Sequence, residues 1–163
     1  RAVAEESGYA VGTLYEYFPN RTALLSGYVR YCMDQLCDDL RQTNDALAAA
    51  PWEQRLRRLV GITLNEDGQA PYFDRDMLLL EGRIAGPEHH QRAFRQLARV
   101  WGECVAQWPD RPGPVDEAPI DTLLLMLWGA RRYGLLLDGD SGDRRYRAAQ
   151  STRMARALLT KND

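Results

Sequence analysis

Apolar residues recur three and four positions apart through most of the chain, and no stretch sustains the apolar–polar alternation of a strand. The longest series runs Leu25, Tyr28, Val29, Cys32, Met33, Leu36, Leu40 and Leu47, which predicts one long helix ending near Ala50, ahead of Pro51. Further series predict helices over 51–68, 72–84, 87–108, 120–137 and 144–160, separated by glycine- and proline-rich breaks. The fold class is therefore read as all-α. The segment 120–137 is so apolar that most of its circumference must be covered.

Composition narrows the function classes. The 163 residues are 45% hydrophobic and 27% charged, enough to build a core, and the net charge of −2 decides nothing about a nucleic-acid partner. Twenty of the 21 basic residues are arginine, with Lys161 the exception, as a GC-rich coding genome or a need for planar bidentate donors would give. Cys32, Cys37 and Cys104 form neither an even disulfide framework nor a C-x-x-C metal spacing, so they are read as reduced and structural. No run approaches the length of about 18 apolar residues that a membrane helix needs, and the opening residues are no signal peptide; a cytoplasmic protein without a membrane partner is expected. No nucleophile elbow, phosphate-binding glycine loop or dinucleotide fingerprint is present. The two histidines, His89 and His90, are neighbours that point about 100° apart on a helix, a poor arrangement for sharing one ion. No catalytic residue, metal ligand or cofactor is assigned.

The chemistry concentrates near the start. Residues 1–8 read as the tail of a helix ended by Gly8, and residues 9–18 as a second short helix after a tight turn, the helix-turn-helix pattern. Val11, Leu14 and Phe18 share one face of the second helix. Ala10, Gly12, Thr13, Glu16 and Tyr17 form the other. An apolar rear and a front of small and hydroxyl side chains suit a helix that approaches a DNA groove.

The run VAEESGYAVGTLYEYFPNRTALL, residues 3–25, resembles the helix-turn-helix signature of the TetR family of bacterial transcriptional regulators. The resemblance rests on Val3-Ala4, Ser7-Gly8, Ala10, Gly12-Thr13-Leu14-Tyr15, Phe18, Arg21 and Leu24-Leu25. It implies that Ala10, Val11, Thr13 and Tyr17 face double-stranded operator DNA and that Gly12 allows close backbone approach. It also implies that Tyr15 contacts phosphate while packing on its domain, and that Arg21 binds a phosphate. Ala10 departs from the usual serine or threonine, Tyr9 from the usual valine, and Arg21 from the common lysine. The family's first helix and basic arm do not precede this run, and the charges of residues 1–31 sum to zero. A longer protein is therefore expected, with the first helix of its DNA-binding domain missing here.

The resemblance further implies two units: a partial DNA-binding domain over 1–22, and a helical ligand-binding and dimerisation domain over 23–163. Helices 120–137 and 144–160 would pair with their copies in a homodimer, the alternative for 120–137 being a helix internal to the core. A small hydrophobic or aromatic effector would bind among the other helices. The candidate lining is Tyr28, Cys32, Met77, Leu80, Trp101, Cys104, Trp128 and Tyr133, each of which serves equally as ordinary core. Arg83, Arg131 and Arg132 are candidates to meet an anionic group, with ion pairing the competing use. Such a regulator, most often a repressor, must hold two recognition helices about 34–36 Å apart, and an effector that prefers another spacing releases the operator. The alternative is a helical protein-interaction adaptor that has lost DNA binding.

Overall fold

The computed structural model describes residues 6, 8, 10–68, 75–84, 86–113, 119–137 and 141–160, without the side chains at positions 11, 14, 76, 77, 80, 83, 141 and 142. Seven helices follow one another along these residues, and none of them lies in a strand. They are α1 (Val11–Tyr17), α2 (Arg21–Ala46), α3 (Trp52–Leu64), α4 (Arg75–Ile84), α5 (Pro87–Ala106), α6 (Ile120–Leu136) and α7 (Ser141–Thr160). The chain is all-helical as its periodicity requires.

Each boundary has a local cause. Asn20 adopts extended backbone and its side chain accepts from the Ala23 N–H at 2.8 Å, starting α2 as an N-cap. The buried stripe of α2, Val29, Cys32, Met33, Leu36, Cys37, Leu40 and Asn44, keeps the predicted helical spacing. The helix stops at Ala46, four residues short of the expected end, and the backbone tightens into turns over 47–50. Arg55 explains the early stop: its guanidinium donates to the carbonyls of Ala48 and Ala50, which a continued helix would have aimed elsewhere, and to that of Gln107 at the end of α5. Helix α3 ends where Asn65 enters the left-handed region at φ 53°, and the Glu66 N–H bonds Gly61 O at 2.9 Å; Gly68, the expected stop, lies beyond. Its start is fixed by Asp110, whose carboxylate accepts from the Trp52 N–H at 2.9 Å. Pro87 opens α5 in the first turn, where a missing N–H costs nothing. Helix α7 begins three residues earlier than the expected 144, with Asp143 in its first turn complementing the helix dipole.

The main core lies among α2, α3, α5, α6 and α7. Leu40, Leu56, Leu59, Val60, Val100, Trp101, Leu123, Leu124 and Leu127 are all fully buried there. Several polar groups inside it are paired, whereas the indole N–H of Trp101 is buried without a partner among the described residues. The indole N–H of Trp108 donates to Asn44 Oδ1 at 2.7 Å, Asn44 Nδ2 donates to Gln107 Oε1 at 3.0 Å, and Arg131 Nη1 donates to Thr63 O at 2.8 Å. Helix α4 packs lightly on α2 and α6. There a second, small cluster forms around Val29 and Leu78, with Ile84, Leu135 and Leu136 against it.

Candidate functional site

At the N-terminal end, Glu6 is helical and Gly8 takes φ 71°, the left-handed conformation that ends a helix and that glycine adopts without strain. Helix α1 begins three residues later. Phe18, just past α1, lies against α2 at Gly27, where an added Cβ would sit 2.9 Å from the ring's Cε1. The glycine thus lets the ring seat directly on the α2 backbone and tie α1 to the head of that helix.

The other aromatics of this stretch turn outward. Tyr15 is 62% and Tyr17 76% exposed, although each ring would gain by burial. Ala10 and Gly12 are exposed, and a Cβ at Gly12 would meet nothing within 4 Å. Thr13 is half-buried, and the side chain of Val11 lies outside the described residues. Arg21 stands exposed in the first turn of α2, which holds no acid. A cation there meets the positive end of the helix dipole, so α2 itself gives it no favourable partner.

In the helical remainder, a cavity of about 400 Å³ opens among α2, α4, α5 and α6. Met33, Phe94, Leu97, Leu124 and Trp128 form its apolar wall, and Glu81, His90, Arg95 and Arg132 its polar groups. Glu81, 4% exposed, accepts from Arg132 Nη1 at 3.2 Å and faces His90 Nδ1 at 3.5 Å. Arg131 lies within the molecule with its cationic head over the Trp128 ring, 5.7 Å from the centroid. Burial pulls its pKa down to about 10, against the opposing fields of Cys32 and Glu81.

Of the residues expected to line a pocket, Trp128 borders this cavity. Cys32, Trp101 and Cys104 are buried and are not in its described lining, Tyr28 is 38% exposed, and Tyr133 is 66% exposed. The side chains of Met77 and Leu80, and that of Arg83, lie outside the described residues. Burial pushes the thiols of Cys37 and Cys104 up to about 11 and raises that of Cys32 as well. The sequence reading missed Met33, Glu81, His90, Phe94 and Arg95. One signal was present: Glu81 interrupts the run Leu78-Leu79-Leu80, and Arg131-Arg132 interrupts an otherwise apolar helix. Charges inside such faces need partners, and these two segments supply each other's.

The fold and the first element define an all-helical protein with a helix-turn-helix at its N-terminal end. Residues 1–27 match the family model of the bacterial regulatory proteins of the tetR family, which supports a DNA-binding transcriptional regulator of that family through its N-terminal part alone. Neither the curated proteins nor the solved structures give a match to the chain. No helix among the described residues is long and apolar enough to cross a membrane.

Proposed function

We propose that the protein is a ligand-responsive transcriptional regulator, most simply a repressor, that binds a palindromic operator as a homodimer and leaves it when a small hydrophobic or aromatic effector binds. One observation carries the DNA-binding half: α1 is tied at its rear by Phe18 while Tyr15, Tyr17 and Arg21 stand exposed. In this reading Tyr15 and Arg21 contact phosphate, and Ala10, Val11, Gly12, Thr13 and Tyr17 lie at the groove. Residues 1–22 then serve DNA and 23–163 serve effector and dimer, with α2 running unbroken from one to the other.

The dimer reading is supported by α6 and α7. Leu125 at 65%, Tyr133 at 66%, Tyr146 at 66% and Met154 at 58% leave apolar surface on these two helices in water in the single chain. The cavity supports the effector reading, since its 400 Å³ falls within the range of about 300–1,000 Å³ typical of small-molecule sites.

The test is a gel shift with the DNA upstream of the protein's own gene. A retarded complex should form and weaken as salt rises, because phosphate contacts release counterions. Tyr17→Ala should weaken that complex while sedimentation still shows a dimer. Absence of a shifted complex would favour the protein-interaction adaptor, and a complex indifferent to salt or to Tyr17→Ala would overturn the assignment of α1.

A further inference from the structure

The described lining of the cavity does not balance its own charge. Among the described residues two arginines, Arg95 and Arg132, line it against one carboxylate, Glu81, with His90 beside them. Glu81 is already engaged: Arg132 donates to one oxygen at 3.2 Å and His90 faces the other at 3.5 Å, while the buried Arg131 adds its field. Arg95 lies exposed at the rim and makes no ion pair or hydrogen bond with the described residues. The described lining therefore carries a surplus of one positive charge before any guest arrives.

Three kinds of guest can be compared. A cation raises the surplus to two charges and must compete with Arg132 and His90 for Glu81. A neutral guest fills the apolar wall and leaves Arg95 as it was. A monoanion brings the described lining to neutrality, and the planar forks of Arg95 and Arg132 match a carboxylate in a way that a point charge would not. The wall then sets the rest of the molecule: Met33, Phe94, Leu97, Leu124 and Trp128 ask for an apolar or aromatic body, and about 400 Å³ limits it to a compact one.

We infer that this cavity takes a small aromatic or aliphatic carboxylic acid, its carboxylate held between Arg95 and Arg132 and its body against Phe94 and Trp128. The inference rests on the proposal that the helical region binds an effector, and names the chemical class of that effector.

Calorimetric titration with matched probes tests it: benzoate, 2-naphthoate and octanoate, each beside its alcohol and its primary amine, against the whole chain. At least one acid should bind about tenfold or more tightly than its alcohol, and the amines more weakly still. Arg95→Gln, a change at an exposed position that should leave the circular dichroism intact, should bring the acid down to the affinity of its alcohol and leave the alcohol unmoved. An alcohol or amine that binds as tightly as its acid, or an acid indifferent to Arg95→Gln, overturns the assignment of an acid while an effector site remains. Failure of all nine probes to bind the folded protein overturns both, and leaves the DNA-binding reading to the gel shift.

Discussion

The two ends of α2 are held in opposite ways. At the far end Leu36, Cys37, Leu40 and Asn44 are buried in the main core, and Asn44 is locked between Trp108 and Gln107. Arg41 adds an exposed ion pair to Glu103 at 3.1 Å, worth little by itself. At the near end residues 23–27 are half-buried, and Val29 is covered chiefly by the small cluster around Leu78. The difference makes α2 a rod clamped at one end, with α1 carried on the lightly held end. In the proposed function this is a useful asymmetry, because a small change near α4 moves the DNA-facing end more easily than the core.

The largest effect should come from the clamp. Trp108→Ala removes a fully buried indole that also packs on Trp52, and leaves Asn44 Oδ1 without its donor. We expect a loss of about 3–5 kcal/mol in urea unfolding; a loss below about 1 kcal/mol would show that the far end is not the fixed one. Leu78→Ala strikes the small cluster, whose surroundings are half-exposed and can collapse, so about 2 kcal/mol is expected from the same measurement. Equal losses at the two positions would erase the contrast. The smallest effect should follow Asn20→Ala, which removes the cap of α2 for about 1 kcal/mol. Hydrogen exchange should then quicken over the first turns of α2 and stay slow around Leu40; quickening along the whole helix would mean that both ends respond as one.

Much of this was legible in the sequence, for reasons that differ by element. The stripe of α2 was readable because spacing alone decides which side of a helix is buried. Its end was not, because three alanines at 48–50 favour helix, and Arg55, which holds the carbonyls of Ala48 and Ala50, is itself anchored to the carbonyl of Gln107, 52 positions away. The exposure of Tyr17 was legible because it falls off the apolar face that Val11, Leu14 and Phe18 share; Tyr15, which can lean on that face and was expected to pack on its domain, is instead 62% exposed. The cavity was much less so. Whether Cys32 or Met33 borders it depends on the rotation of α2 about its own axis, and whether Phe94 or Trp101 does depends on where along α5 the neighbouring helices part. Glu81 and Arg132 meet across 51 positions, a pairing that no local pattern encodes.

The burial of all three cysteines has a practical consequence. With their thiols held protonated well above neutral pH, they should ignore maleimide reagents at pH 7, so a cysteine introduced at the outward-facing position of Tyr17 would be the one that takes a label. Two such labels, one on each protomer of the proposed dimer, would turn the chain into a molecular ruler. Their separation, read by pulsed electron resonance with and without a candidate acid, reports directly the distance on which operator recognition depends.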